Sequence, residues 1–589
     1  MDMVSPFRLP RKTPFGIGEK FAERATGLHQ LSKFYAQRPV GCDTAAFLRY
    51  TLQVLGIDYQ ITSGELKQVP THGATIIVAN HPLGCVEGVI LAELLLMIRP
   101  DVKVLANHHL KSVPELNELF IGVDVFQGQQ AHHANIKAFR AAYQHLHQQG
   151  LLLMFPAGEV SDLVDIKSRR VEDKPWSRSL SALIKKSKAT VLPMYIEGSN
   201  SNRFYMAGKI HPMLRTLMLG RELLNKQNCS INIAIGDSIR YKEIHNLTDD
   251  DMVSYLRLNT YLLHSSVDTT TRYPALLSNS SQTIAAPLPQ QALLKDIEHI
   301  PEDDHLLSSN GFEVYCTSAQ RIPALIQEIG RQREINFRAV GEGTGRAIDL
   351  DQFDAYYQHL FVWDSNNQCL VGAYRLGLVD QIVQREGLVG LYSNTLFNYN
   401  EQFISKMGKS IELGRSVISG AYQKSLNALL LLWKGIATFV SRHPDYTHLF
   451  GPVSISNEYS SQARQLLTDA MTLHHYDHDR ARYVSASHPL PERPQRWDNQ
   501  QLSALGDLQL LSRVIARIDH GKHVPVLLRQ YLALKGKLVC FNVDPNFNNA
   551  LDGLIVVDLN AVPSRTLERY MGSEKAENYR RYHSLSMAC

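Results

Sequence analysis

The chain of 589 residues has no long apolar run and little excess of charge of one sign, and each absence excludes a class of protein. A membrane-spanning helix needs roughly 18 uninterrupted apolar residues, whereas the best candidate here, residues 428–440, contains Lys434. The formal net charge of +4 is small for this length and does not favour a nucleic acid as a partner. We therefore expect a globular protein that contacts a membrane at its surface at most.

The sequence also lacks the patterns of disulfide and metal proteins. Its seven cysteines are odd in number and scattered, without a close pair of the zinc-binding type, so we expect reduced thiols. The histidine pairs at 108–109 and 132–133 have no carboxylate or cysteine at ligand spacing beside them, so we predict no metal site, and we expect no cofactor. The first residues lack the apolar core of a signal peptide. We expect a cytoplasmic protein that associates peripherally with the inner membrane.

The length and one stretch of biased composition indicate separate domains. A single core rarely serves a chain this long, which favours roughly two to four domains. A stretch rich in Ser, Thr, Pro and Ala follows residue 264 and is typical of a linker. We predict an N-terminal domain over residues 1–264, a linker over 265–303 and a second domain over 304–589.

Within residues 1–264, apolar runs of strand length alternate with helical patterns. This alternation predicts an α/β fold, in which ligands bind where strands end. The predicted strands are 74–79, 102–106, 151–155 and 190–196, and the predicted helices are 86–98, 131–148 and 179–186.

Two motifs follow predicted strands of this domain. Asn-His-Pro-Leu-Gly-Cys-Val-Glu-Gly begins at residue 80, and Phe-Pro-Ala-Gly-Glu-Val-Ser begins at residue 155. His81 can take a proton from an attacking alcohol, and Glu87 can orient the ring and stabilise the imidazolium that forms. The alternative is that His81 only closes the turn before Pro82. The combination of both motifs favours acyl transfer to a hydroxyl group.

These motifs resemble those of the lysophospholipid acyltransferase family, also called the glycerolphosphate acyltransferase superfamily. The family has an Asn-His pair followed by an acid, and later a Phe-Pro-x-Gly block; the likeness covers residues 40–240. It implies that His81 and Glu87 are catalytic. It also implies that Gly158, Glu159 and Ser161 contact the substrate.

The departures from the family pattern concern the acceptor. Five residues, one more than usual, separate His81 from Glu87, and Ala157, Glu159 and Val160 replace the glutamate, threonine and arginine of the usual block. A phosphate monoester is best bound by cations, so lysophosphatidate is a poor candidate. We expect a lyso-lipid with an amine in its headgroup, attracted by Glu159; alternatively Glu159 caps a turn or a helix start.

A second pattern of charged residues lies in the central part of the chain. It consists of Arg333, Phe337, Asp351, Asp354, Arg375, Glu412 and Arg415. An amino acid is a zwitterion, so Asp351 and Asp354 can hold ammonium groups while Arg375 or Arg415 holds the carboxylate. Glu412 can act as the general base on the α-amino group. The alternative is a salt-bridge network that only braces the fold.

This ordered pattern resembles the autoinducer (acyl-homoserine lactone) synthases and the ornithine N-acyltransferases, which are variants of the GNAT fold. The resemblance implies a GNAT-like α/β domain that moves an acyl chain from acyl carrier protein onto an α-amino group. The glycines at 341, 343 and 345 lack a preceding strand and do not match the GNAT pyrophosphate loop. Acyl carrier protein is therefore the expected donor, with acyl-coenzyme A as the alternative.

The last ninety or so residues resemble the tail of bacterial N-acyltransferases that are often labelled hemolysins. Asp544 and Asp552 in this tail are interpreted as turn residues at strand ends. No chemical role is predicted for the tail.

Together the two resemblances predict a bifunctional enzyme that makes ornithine lipid. The second domain would join a 3-hydroxyacyl chain to ornithine, and the first would esterify the hydroxyl of that lyso-lipid at a membrane surface. Three alternatives remain: the same enzyme with glycine, serine or lysine; a lysophospholipid O-acyltransferase with a non-catalytic GNAT-like domain; and a hemolysin. The missing export signal and membrane segments argue against the last.

Overall fold

The computed structural model describes residues 5–8, 17–107, 111–123, 129–165, 170–264, 282–491 and 497–586. The chain divides into two compact units. The first contains residues 1–268 with 496–504, and the second contains 269–495 with 505–589. Residues 265–281 of the predicted linker lie outside the described part, and the proposed domain limits stay predictions.

A seven-stranded sheet forms the centre of the first unit, with the strand order β1-β9-β8-β2-β5-β3-β4. The strands are β1 (Asp58–Ser63), β2 (Thr75–Ala79), β3 (Val102–Asn107), β4 (Phe120–Val123), β5 (Leu151–Met154), β6 (Asp162–Asp165), β7 (Arg170–Glu172), β8 (Thr190–Ile196) and β9 (Ser230–Ile235). Strands β2, β3, β4, β5 and β8 are parallel, β9 runs antiparallel to β8, and β1 is parallel to β9. Strands β6 and β7 form a separate hairpin.

Helices connect and cover these strands. They are α1 (Ile17–Ala25), α2 (Leu28–Ala36), α3 (Thr44–Leu55), α4 (Val86–Leu96), α5 (Gln129–His147), α6 (Ser179–Ser187), α7 (Asn202–Ile210), α8 (Pro212–Leu224), α9 (Tyr241–Ile244) and α10 (Asp249–Leu262). Every residue of β2 and β5 is buried, because helices cover both faces of a parallel sheet. The four predicted strands and three predicted helices are present, and the α/β fold is confirmed.

The second unit contains an eight-stranded sheet with the order β10-β11-β12-β13-β15-β16-β19-β18. The strands are β10 (His305–Ser309), β11 (Phe312–Ser318), β12 (Gln358–Asp364), β13 (Cys369–Leu378), β14 (Phe397–Tyr399), β15 (Ser410–Ile418), β16 (His448–Ile455), β17 (Val484–Ala486), β18 (Lys537–Asp544) and β19 (Ala550–Asp558). Neighbouring strands are antiparallel except β15 and β16, which are parallel and pair only from Ser410–Glu412 to His448–Phe450. The two strands therefore diverge beyond Glu412. The C-terminal tail supplies β18 and β19, at one edge of this sheet.

The helices of the second unit begin inside the segment predicted as a linker. They are α11 (Gln290–His299), α12 (Pro323–Ala339), α13 (Val379–Glu386), α14 (Glu401–Ser405), α15 (Leu426–Arg442), α16 (Ser461–His474), α17 (His478–Ala481), α18 (Leu508–Ile518), α19 (Val526–Ala533), α20 (Ser564–Met571) and α21 (Ser573–Ser586). Leu293 of α11 is buried in one core with Leu325 and Ile329 of α12. No helix among the described residues is both long and apolar enough to cross a bilayer.

Candidate active sites

His81 lies at the carboxyl edge of the first sheet, directly after β2. The side chain of Asn80 continues the pairing of β2 with β8: its Nδ2 donates to the carbonyl of Ile196 at 2.9 Å, and its Oδ1 accepts the N–H of Ile196 at 2.8 Å. An asparagine amide can replace a peptide group in this way. The bonds fix the backbone from which the His81 side chain projects.

The imidazole of His81 faces the carboxylate of Glu87. Nδ1 lies 2.9 Å from Oε1, at hydrogen-bond distance but without full alignment of the N–H. The same oxygen accepts the N–H groups of Leu83 at 2.9 Å and Gly84 at 2.8 Å. Burial of Glu87 opposes its ionisation, but His81 and the Gly84 N–H lower its pKa below the ordinary value. An ionised Glu87 can orient the ring and stabilise an imidazolium.

Asp173, which was not predicted, holds the backbone beside this pair. Its Oδ1 accepts the N–H of His81 at 3.1 Å and the hydroxyl of Ser161 at 2.5 Å, and its Oδ2 accepts the indole N–H of Trp176 at 2.9 Å. Burial raises the pKa of Asp173 despite these donors. In the sequence, Asp173 stands within a run of basic residues, a context that is typical of a solvent-exposed carboxylate. The nearby tryptophan was the one signal of a buried contact.

The block around Gly158 closes the other side of the His81 ring. The ring of Phe155 stacks on the imidazole with a centroid distance of 4.4 Å. Gly158 has a φ of 69°, a left-handed conformation that suits glycine, and its N–H donates to the carbonyl of Phe155 at 3.0 Å. The N–H of Ser161 donates to the carbonyl of His81 at 2.8 Å. Gly158 and Ser161 thus shape the site, and their contact with substrate stays a prediction.

The carboxylate of Glu159 already forms an ion pair within the protein. Its carboxylate lies 2.6 Å from Nζ of Lys174, and both side chains are about half exposed. The lysine already balances the charge that was predicted to attract a headgroup. Recognition of the acceptor by Glu159 stays a prediction, and it requires that the amine of the headgroup displace Lys174.

In the second unit, the predicted charged residues form a buried network. Nη1 of Arg375 lies 2.5 Å from Asp351 and 3.3 Å from Asp354, and Nη1 of Arg333 lies 2.8 Å from Asp354. Both arginine side chains have no exposed surface. Burial opposes charge on Asp354, but Arg333 and Arg375 hold its pKa well below the ordinary value. Asp354 is therefore ionised near neutral pH.

Arg415 extends this network, and its backbone has a strained, left-handed conformation. Its Nε lies 3.2 Å from Asp349 and its Nη2 3.4 Å from Asp351. The guanidinium groups of Arg415 and Arg375 lie 4.7 and 4.8 Å from the ring centroid of Tyr392. With a φ of 49°, Arg415 has a left-handed conformation that is rare outside glycine, and such strain concentrates at functional sites.

Phe337 reaches this network through a second aromatic ring. Its ring packs edge-on against Phe547, with a centroid distance of 5.7 Å, and Arg415 lies 4.9 Å from the Phe547 centroid. The C-terminal tail, which supplies Phe547, therefore contributes to the site. No sequence pattern predicts that contribution.

Glu412 lies beside the network, and its carboxylate already accepts three hydrogen bonds from the protein. The hydroxyl of Tyr357 and the N–H groups of Ser393, at 2.5 Å, and Tyr392, at 3.2 Å, donate to its carboxylate. The Tyr357 ring lies 5.2 Å from the guanidinium of Arg375. A substrate amine would have to displace one of these donors to reach Glu412. Its role as general base stays a prediction.

A group of buried carboxyls near Arg415 was also missed. The hydroxyl of Ser454 donates to Glu342 at 3.0 Å, and Asp552 pairs with Ser454 between β16 and β19. Burial raises the pKa of Glu342 to about 7 and also raises that of Asp544 and Asp552, although Arg415 opposes the shift at both aspartates. Asp544 does end β18, as predicted. The interpretation of Asp552 as a turn residue is wrong, because it lies inside β19.

The glycine-rich loop after α12 already binds an anion from the protein itself. The N–H groups of Thr344 and Gly345 donate to the carboxylate of Glu334 at 3.1 and 2.9 Å. A phosphate would have to displace that side chain. Among the described residues, no group of His, Cys, Asp and Glu is arranged to hold a metal ion.

Comparison with known families agrees with this geometry. Residues 31–270 match a family described as Acyltransferase, and residues 332–434 match a family described as Acetyltransferase (GNAT) domain. The protein is an acyltransferase with a mixed α/β fold. More particularly, it joins an N-terminal acyltransferase domain, which contains His81, to a C-terminal GNAT domain, which contains the arginine network.

Three relatives are informative. A glycine N(alpha)-acyltransferase of Phocaeicola vulgatus is 29% identical over 283 residues, 45% of this chain and 85% of its own. A lyso-glycine lipid O-acyltransferase of the same organism is 26% identical over 215 residues, 35% of this chain and 72% of its own. A second lyso-glycine lipid O-acyltransferase, from Bacteroides thetaiotaomicron, is 25% identical over 217 residues, 33% of this chain and 75% of its own.

A solved structure, the 1-acyl-sn-glycerophosphate acyltransferase PlsC of Thermotoga maritima, aligns over 42% of this chain and 92% of its own with 13% identity. The TM-score of this alignment is 0.25.

Proposed function

We propose that this protein makes an acylated amino-acid lipid in two steps. The GNAT domain transfers a 3-hydroxyacyl chain to the α-amino group of an amino acid, and the N-terminal domain then esterifies the hydroxyl group of that lyso-lipid. The observation that carries the proposal is the presence in one chain of two separate sites, each similar to relatives whose names describe one of these two reactions.

In the O-acylation step, His81 acts as the general base. It takes the proton from the acceptor hydroxyl while the oxygen attacks the carbonyl carbon of an acyl thioester, and Glu87 stabilises the imidazolium. The tetrahedral intermediate then expels the thiolate, which receives the proton from His81. The products are the ester and the free thiol, and His81 returns to its neutral state.

In the N-acylation step, the arginine network supports binding of a zwitterion. Arg375 and Arg415 lie on one tyrosine ring and carry two adjacent cations, which suits a carboxylate. The aspartates beside them suit an ammonium group. The ammonium group first gives one proton to Glu412, directly or through water, and the free amine attacks the carbonyl carbon of the acyl thioester. The amide bond forms as the thiolate leaves, and the second proton lost by the nitrogen converts that thiolate to the free thiol.

Ornithine is the amino acid that we propose, with glycine as the second candidate. The named relatives favour glycine, which has no side-chain cation. The buried carboxyls of Asp544 and Asp552 lie near Arg415, with Glu342 beside them, and Oδ2 of Asp552 has no hydrogen-bond partner among the described residues. Such a group of carboxyls suits a second positive charge. The δ-ammonium of ornithine would supply that charge.

Acyl carrier protein is the proposed donor, acting at the cytoplasmic face of the inner membrane. The glycine-rich loop supports this choice over free coenzyme A, because Glu334 occupies its N–H groups. Transfer assays with the same acyl chain on each carrier would decide between the two donors.

Expression in a host without aminolipids, followed by lipid mass spectrometry, tests the whole proposal. We expect a diacylated amino acid and a smaller amount of its monoacylated precursor. Feeding labelled ornithine or labelled glycine identifies the headgroup. If no new acylated amino acid forms while the purified protein acylates lysophospholipids, the proposal is wrong.

A further inference from the structure

Two helices next to the His81 site expose apolar side chains. α7 and α8 are separated by a single residue, His211, and pack on each other. Their exposed apolar residues are Met206, Ile210, Leu214 and Leu217. Ile210 is 75% exposed, more than most apolar residues of this protein. A group of apolar side chains on one surface marks an interaction site.

The charges on this surface are almost all positive. Between residues 201 and 226 the basic residues are Arg203, Lys209, Arg215, Arg221 and Lys226, and the one acid is Glu222. Glu222 is buried, where it accepts hydrogen bonds from Ser201 and Asn225. Arg215 is mostly buried and pairs with Asp162 at 2.6 Å. The charged side chains that reach the surface of the two helices are therefore Arg203, Lys209 and Arg221, all of them cations. They fit a partner that is negative as well as apolar.

A cavity between the two helices carries two of these cations. It has a volume of about 390 Å³ and is lined by Ser201, Asn202, Arg203, Met218, Arg221 and Asn225. Within the described part of the chain, Arg203 has no hydrogen-bond or ion-pair partner, and Arg221 donates only to the carbonyl of Ala25 at 3.3 Å. Two guanidinium groups with hydroxyl and amide neighbours suit a phosphate group.

The same helices are attached to both loops of the His81 site. Arg215 of α8 donates to the carbonyl of Ser161 at 2.8 Å and to that of Val160. Leu219 of α8 approaches Gly84 so closely that a Cβ there would lie 2.6 Å from its Cδ2. A surface that engages α7 and α8 therefore lies next to the catalytic residues.

We propose that α7 and α8 are the face by which this unit docks on a bilayer containing anionic phospholipids. Met206, Ile210, Leu214 and Leu217 enter the apolar layer, and Arg203 and Arg221 hold a lipid phosphate. Apolar side chains flanked by Lys and Arg are typical of interfacial helices, whose affinity depends on both contributions. The proposal goes beyond acyl transfer, because docking requires no substrate turnover.

Vesicle flotation with the purified full-length protein tests the apolar contribution. We expect it to float with vesicles of phosphatidylcholine and phosphatidylglycerol, and less with phosphatidylcholine alone. The double variant Met206→Gln, Ile210→Gln should bind at least about tenfold more weakly, since each side chain loses its transfer free energy. The matched control is Met97→Gln: Met97 is 53% exposed, close to the 58% of Met206, but follows α4 at the other end of the sheet.

A charge-reversal pair tests the ionic contribution. Arg203→Glu should weaken binding to anionic vesicles by at least about tenfold, because it removes one surface cation and puts an anion in its place. Lys67→Glu makes the same change in net charge near the amino ends of β2 and β5, away from His81, and should have little effect.

Three results would overturn the proposal. One is a wild-type protein that stays unbound to anionic vesicles. Another is an equal loss in each variant and its control. The third is self-association through this face, seen as a dimer in solution that the Met206→Gln, Ile210→Gln variant abolishes without any change in flotation. Flotation is independent of acyl transfer, so an inactive protein that still floats would contradict only the proposed function.

Discussion

The two sites of this protein hold their buried carboxylates in different ways. In the first unit, Glu87 is held by two backbone N–H groups and one imidazole, and His81 keeps 17% of its side-chain surface exposed. In the second unit, Asp351 and Asp354 are held by buried guanidinium groups. The first arrangement suits removal of one proton from a substrate that arrives from outside. The second suits the binding of a small zwitterion, because the charged side chains are already held in position.

The replacement of His81 by alanine should have the largest effect. The loss of the general base should reduce O-acylation by roughly 10²- to 10⁴-fold, with N-acylation and thermal stability unchanged. Lipid mass spectrometry should therefore show accumulation of the monoacylated precursor. If the precursor disappeared as well, the assignment of the two steps to the two units would be wrong.

Arg375→Met should affect stability as much as activity. It removes the buried cation that Asp351 and Asp354 share, and removal of one partner from a buried ion pair costs about 3–5 kcal/mol. Denaturant unfolding should show this loss, and both lipid products should disappear. A synthetic lyso-lipid should still be O-acylated by this variant. Failure of that rescue would mean that the two sites are not independent.

A smaller effect is expected from Asp173→Asn, which removes the charge of a buried carboxyl group in the first site. The amide keeps the size of the side chain but weakens the acceptor for the N–H of His81 and the hydroxyl of Ser161. We expect kcat for O-acylation to fall about tenfold with KM unchanged, as for a hydrogen bond to a charged group. The control Asp250→Asn disturbs only a surface pair with Arg178. Equal losses in both variants would rule out a positioning role.

Glu159→Gln should have the smallest effect. The ion pair of Glu159 with Lys174 is half exposed, and such pairs contribute about 0–1 kcal/mol. The KM for the lyso-lipid should therefore change by less than about fivefold, as measured with a series of acceptors of different headgroup charge. A large increase confined to amine-containing acceptors would instead restore Glu159 as the residue that recognises them.

The sequence allowed the prediction of contacts that lie within one short motif. His81 and Glu87 are six positions apart, and the strand before them and the helix after them are both apolar, so their approach follows from local structure. The ion pairs of the second unit were expected as a group. Their individual partners, such as Arg333 with Asp354, depend on how helix α12 lies on the sheet.

Contacts between distant segments could not be predicted. Asp173 reaches His81 across 92 positions, because the β6–β7 hairpin folds back over the end of β2. Asp552 was misinterpreted because an acid in a short apolar run has the same local pattern whether it ends a strand or lies inside it. Periodicity indicates the type of an element, whereas pairing between elements depends on the packing of the whole unit.

The oxygen of Glu87 that faces His81 also closes the turn formed by Leu83 and Gly84. The geometry of the turn and the geometry of the catalytic pair therefore depend on each other. Both depend on the length of the glutamate side chain and on the extra residue in the motif. A change to aspartate alone leaves the carboxylate short, and deletion of one residue alone brings it too near. The two changes should be strongly epistatic, so that sequences of this type and sequences with the commoner spacing are separated by inactive intermediates.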